Sequence, residues 1–224
     1  MTTPRRPLLR RRPRAVRRRR APAVARQEIL DAAERVFAHV HPDRVGLKEV
    51  AREAGVSHAL ITHYFGTYAG LIEATLERRV RRLRENVLVR LRESGALGRP
   101  MELLGMLFRA LEDPVHLRLM KWVFASERPS TAHAFALQDH GLQQVARQIG
   151  EAVGLPAGSP KLDTIERALA TAVAAAFGWA ISRQSLAGAL GRPVSTQLDD
   201  DIQGTLAAML QGYLRQHLGP AIPL

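Results

Sequence analysis

The chain of 224 residues contains no cysteine, which removes disulfides, thiolate metal sites and thiol nucleophiles together. Aromatic residues are only 5% of the chain, and lysine occurs three times (Lys48, Lys121, Lys161) among 33 basic residues. Long apolar runs are also missing. The longest, Leu169 to Ile181, is flanked by charge and reads as a buried helix, short of the roughly 18 residues a membrane span requires. No apolar segment follows the positive start, so a secretory signal is not expected, and the default location is the cytoplasm, away from membranes. Glycine-rich phosphate loops, Gly-x-Ser-x-Gly and His-Glu-x-x-His are absent, and no residue set meets the geometric needs of a catalytic site. An enzyme is therefore not expected, nor a cofactor.

What is present is charge, unevenly placed. Residues 1–20 hold ten arginines, Arg17, Arg18, Arg19 and Arg20 among them, and no acid. The remaining 23 basic and 21 acidic residues leave a body near +2, so the formal +12 belongs to a tail. Self-repulsion and Pro4, Pro7 and Pro13 argue for a disordered arm over residues 1–22, whose natural partners are polyanions. The scarcity of lysine fits a GC-rich coding bias equally well, and valine codons at Val16 or Val24 offer alternative start points, so whether residues 1–20 belong to the native chain stays open.

Beyond Ala23 the apolar period is helical almost throughout. Ile29, Leu30, Ala33, Val36, Phe37 and Val40 form one stripe of an amphipathic helix. His41-Pro42-Asp43 breaks it; short helices over Leu47–Ala54 and about Ser57–Tyr64 follow, with Thr67 as cap of a long helix to about Ser94. Further helices are predicted near 101–112, 114–127, 130–153, 160–189 and 196–218, separated by proline and glycine breaks. The fold class is all-α, about nine helices, with a DNA-binding unit over 23–67 and a larger unit over 68–221.

The informative run is Leu47 to Phe65, LKEVAREAGVSHALITHYF. Small Ala51 lets a second helix cross closely. Gly55, four residues on, suits the left-handed turn, and Ile61, ten on, anchors the second helix. That is the helix-turn-helix pattern, with Ser57 as cap. His58, Ala59, Thr62 and His63 point away from Val56 and Ile61, and are short or hydrogen-bonding groups suited to a major groove. Arg44 and Lys48 flank the first helix, placed to hold phosphates.

The stretch from about Arg26 to Val80 resembles the TetR-type one-component regulators. Val50-Ala51, Ala54-Gly55-Val56-Ser57, Tyr64-Phe65-Gly66-Thr67 and Leu71 carry the resemblance. Two positions depart from the family pattern: Thr62 stands at its usual recognition-helix tyrosine, and Tyr68 at the usual lysine opening the fourth helix. Both family residues commonly touch phosphate, so Tyr64 and Tyr68 enter the expected DNA-contact set. Tyr68 would donate its hydroxyl at the positive end of a helix, with the arginine arm restoring the missing charge.

The resemblance also implies a homodimer on double-stranded DNA and a small-molecule effector. It puts the last two helices at a dimer interface, where Ile165, Leu169, Val173, Phe177 and Ile181 form one apolar stripe and Leu206, Leu210 and Tyr213 lie on another. Periodicity alone leaves both stripes equally readable as internal core. The implied ligand cavity falls among Met106, Phe108, His116, Met120, Trp122, Phe124 and Phe135, with core packing as the competing reading. The histidines have no metal-binding spacing. A nucleoid-like protein acting through the arm alone, and a regulator answering only to protein partners, are the other readings open.

Overall fold

The computed structural model describes residues 22–93, 100–126 and 131–219, and every regular element among them is helical. The elements are α1 (Pro22–His39), a 3-10 turn (Pro42–Arg44), α2 (Leu47–Ala54), α3 (His58–Phe65), α4 (Tyr68–Leu91), α5 (Pro100–Glu112), α6 (Pro114–Ala125), α7 (Thr131–Ala152), α8 (Leu162–Ala189) and α9 (Thr196–Leu218). Pro22, placed in the arm by the sequence, opens α1, where its fixed φ and missing N–H are tolerated.

Local chemistry sets these boundaries. Gly55 ends α2 at φ 64°, and the Val56 amide returns to the Ala51 carbonyl at 3.0 Å. Ser57, Thr67 and Ser195 cap α3, α4 and α9, accepting the Leu60, Gly70 and Leu198 amides. At Asp113-Pro114 the carboxylate accepts the Val115 and His116 amides at 2.9 and 3.0 Å.

The main apolar core is continuous from the N-terminal three helices into the body. Ile29, Phe37, Val50, Ile61, Leu71 and Ile72 share it with Leu104, Leu119, Val123 and Ala176. The first turns of α4 belong to both units, because Ala69, Leu71 and Ile72 pack into the helix-turn-helix while later turns reach the body.

α8 is the longest helix among those described. It is long and apolar enough, by length and composition, to cross a membrane. Its Ile165, Ala168, Ala172, Ala176 and Trp179 are buried against neighbouring helices, as in the core helix of a bundle. Among the three acids near the start of α9, Asp199 is buried: it accepts the Trp179 indole N–H at 3.0 Å and pairs with Arg183, fastening α9 to α8.

Candidate DNA interface and sensor chamber

α3 is held from below and bare above. Ile61 is fully buried against Val50 and Ala51 of α2, while Ser57, His58, Ala59, Thr62 and His63 are all exposed. Residues 58, 59 and 62 share one face of a helix, so their side chains present together on the outside. The Thr62 hydroxyl donates to the His58 carbonyl at 3.2 Å, which orients its methyl and leaves lone pairs free. Arg44 and Lys48 are exposed beside this face. Glu49 accepts the Gly46 amide at 2.9 Å at the start of α2, an interaction that holds its carboxyl below the ordinary range.

Two of the aromatic residues assigned to DNA behave differently. Tyr64 is half-buried, its ring on His63 at 5.3 Å and beside Phe65 at 6.3 Å. Tyr68 is tied into the chain itself. Its hydroxyl donates to the Pro42 carbonyl at 2.7 Å, and its ring packs edge-on to Phe37 and Trp122. Burial, with Asp43 and Glu49 nearby, pushes its phenol well above the usual range. The hydroxyl thus holds the turn before α2. Arg17, Arg18, Arg19 and Arg20 lie outside the described residues.

The junction between α3 and α4 is tight. A Cβ added at Gly70 would fall far inside van der Waals distance of the Phe65 carbonyl oxygen, a backbone atom that cannot swing aside. Gly70→Ala is therefore expected to displace the end of α3 from α4, lowering stability by about 1–3 kcal/mol and weakening any DNA binding through α3 more than stability alone explains. Thermal unfolding beside DNA titration checks it; wild-type values for both would show that the junction yields freely.

Beyond this unit lies a partly open apolar chamber of about 250 Å³. Leu76, Val80, Leu83 and Val87 line it from α4, and Leu103, Leu104, Leu107 and Leu111 from α5. α7, α8 and α9 supply more of the wall, including Val145, Val173 and Leu210. His116 and Met120 of α6 face it as expected, but Met106, Phe108, Trp122 and Phe124 are not among its lining residues. Met106 lies at a separate surface recess with Arg90 and Arg109, and Phe108 is buried core away from the chamber. Trp122 braces Tyr68, Phe124 is partly exposed and packs on Phe177, and the Phe135 side chain lies outside what is described.

α6 joins the chamber to the DNA-facing unit. Arg118 donates to the carbonyls of Phe37 and Ala38 at 2.8 Å each, capping the end of α1, while His116 two residues earlier faces the chamber. A second tie runs through Glu34 of α1, which accepts from Arg78 at 2.6 and 3.0 Å and from Arg79 at 3.1 Å. Arg79 also pairs with Asp113 at 2.6 Å, and Arg78 with Asp31 at 2.7 Å.

Comparison with known proteins supports this arrangement. A profile of the bacterial regulatory proteins, tetR family, matches residues 29–75. The chain is 38% identical over 68 residues to an uncharacterized HTH-type transcriptional regulator of Mycobacterium tuberculosis, covering 30% of this chain and 34% of that one. That match spans about a third of the relative's length. It is also 30% identical over 204 residues to the HTH-type transcriptional regulator BetI of Rhizobium meliloti, covering 87% of this chain and 90% of that protein. The chain belongs to the TetR family. Solved structures agree on the fold: a tetR-family transcriptional regulator from Streptomyces coelicolor superposes with a TM-score of 0.58 at 21% identity over 88% of this chain and 92% of that one. Salmonella enterica GusR gives 0.58 at 21% over 87% and 97%.

In this TetR-family chain the stripes assigned to a dimer interface turn mostly inward. Ile165 is buried, and Leu169, Val173, Phe177 and Leu210 line the chamber with it. Leu206 is buried in the core, and the Tyr213 hydroxyl accepts from Arg167 at 3.3 Å. Ile165 and Leu206 therefore serve this protomer's own interior, while Leu169, Val173, Phe177, Leu210 and Tyr213 are half-buried. Ile181 does face out, 44% exposed, as does Met209 at 68%. Around them the outer surfaces of α8 and α9 carry small exposed residues, Ala174, Ala175 and Gly178 on one and Ala208 and Gly212 on the other.

Proposed function

We propose that this TetR-family regulator binds a palindromic operator as a homodimer and is released from it by a small apolar or amphipathic ligand. The observation that carries the reading is the pairing of an exposed α3 face with an apolar chamber through shared helices. α4 starts at the end of α3 and lines the chamber from about two turns later, at Leu76; α6 caps α1 and carries His116 and Met120. A ligand that prefers one arrangement of α4 and α6 shifts the α3 helices of a dimer relative to each other, and DNA affinity falls by linkage.

The outer faces of α8 and α9 are the proposed dimer surface, because small residues allow close helix approach around Ile181 and Met209. His58, Ala59, Thr62 and His63 are the proposed base-edge readers, with Arg44, Lys48 and the backbone amides at Ser57 on phosphate. The protein is proposed to work in the cytoplasm, without catalysis or cofactor. Arg17 to Arg20 are assigned general attraction to DNA, which adds affinity without choosing sequence.

Selection from a random duplex library at physiological salt, with and without residues 1–20, tests this. Both forms should enrich one palindrome and bind it at least about a thousandfold tighter than scrambled DNA. The truncated form should show the shallower dependence of affinity on salt. If neither form enriches a sequence, the arm's non-specific attraction becomes the account of function instead.

A further inference from the structure

The chamber walls hold one charged side chain among the described residues, Arg84 of α4. It lies over Gly141 of α7, where a Cβ would come within 2.9 Å of its Nη1 and 3.3 Å of its Cδ. The missing side chain at 141 is what gives the guanidinium its place. The Arg84 Nε is buried and has no hydrogen-bond partner among the described residues. The other polar side chains in the wall are His116 and Gln211; no carboxylate is among them. Burial holds His116 neutral, its pKa drawn down to about 4, with the Arg79 guanidinium acting in the same direction.

A buried donor on a permanent cation is costly to leave without an acceptor. With no carboxylate among the described residues of the wall, the acceptor that relieves it is assigned to a ligand. A carboxylate matches the guanidinium's planar fork in both charge and geometry. A cationic ligand would meet Arg84 with nothing to offset it, and a polyhydroxylated one would leave most of its hydroxyls against leucine and valine. The cavity of about 250 Å³ is at the small end of ligand pockets, and suits a single short chain better than a large ring system.

We propose that the effector is an amphiphile with one carboxylate, its apolar body in the leucine-lined chamber and its head on Arg84. This rests on the reading of the chamber as the sensor, and the test separates the two. Decanoate, decanol and decyltrimethylammonium, each below its micelle concentration at pH 7.5, are titrated into the full chain by calorimetry. Decanoate should bind at least about tenfold tighter than decanol, with the quaternary ammonium weakest. Arg84→Gln should bring decanoate down to the level of decanol. Equal affinity of the wild type for decanoate and decanol overturns the proposal while leaving an apolar sensor standing, and needs no variant to be read. Retention of the preference by a folded Arg84→Gln also overturns it. Binding of none of the three removes the sensor reading of this cavity and the proposal with it.

Discussion

Glu34→Ala should lower the stability of the chain by about 3 kcal/mol, a drop in Tm of roughly 6–12 °C, and uncouple ligand from DNA. Glu34 takes three of its hydrogen bonds from Arg78 and Arg79, whose side chains are 10% and 18% exposed. Removing the carboxylate strands part of two desolvated guanidinium groups, which costs more than the pair was worth when intact. Asp31 still pairs with Arg78 and Asp113 with Arg79, so the chain should fold, but α1 loses its main polar tie to α4. Arg82 meets the same Glu34 oxygen at 3.4 Å from a side chain 53% exposed, so Arg82→Ala should change stability by no more than about 0.5 kcal/mol. Thermal unfolding and operator titration of both variants decide it. If Glu34→Ala melts with Arg82→Ala, the cluster is a solvated surface feature and α6 alone ties the units together.

The sequence made this cluster hard to see. Glu34 and Arg78 are 44 residues apart, and each sits on a helix face that reads as ordinary solvated charge. The helices themselves were legible because their ends are written locally: Gly55, Asp113-Pro114 and the caps at Ser57, Thr67 and Ser195 fall at observed boundaries. The outer face of α3 was legible for the same reason, since packing Ile61 inward sends residues 58, 59 and 62 outward. The fate of the Tyr68 hydroxyl was not, because its acceptor is the Pro42 carbonyl, 26 residues earlier.

Interior and interface proved hardest to separate. The expected cavity rested on methionine and aromatic residues, yet large rings fill space, and the chamber is left where leucine and valine meet around Arg84. The apolar stripe 76, 80, 83 and 87 with an arginine set into it is the signal that could have located the wall. In α8 Ile165, Leu169, Val173 and Phe177 face the chamber, and the exposed surface mixes Ile181 and Leu186 with alanine and glycine, which hydropathy does not rank as an interface.

Acid should destabilise this protein through His116. The imidazole is 4% exposed in the chamber wall, and its pKa is drawn from 6.5 to about 4. Burial is the main cause; Arg79 adds to it, and Asp113 opposes it. Between those two values the unfolded chain takes up a proton that the folded chain refuses, so stability is full above pH 6.5 and falls as pH drops toward 4. The loss amounts to about 2 kcal/mol by pH 5 and about 3 kcal/mol by pH 4. Asp113 adds nothing in that window. Burial tends to raise its pKa, but the His116 amide and Arg79 outweigh burial and hold it below 3.8, so its contribution is lost only at lower pH. Urea unfolding of wild type and His116→Leu at pH 7.5 and pH 5 measures the effect. The leucine variant should lose most of the difference between the two pH values, because no proton then distinguishes folded from unfolded chain at that position. An equal drop in both proteins would move the acid sensitivity elsewhere, while a wild type indifferent to pH would mean that the chamber admits a charged imidazole, and with it water.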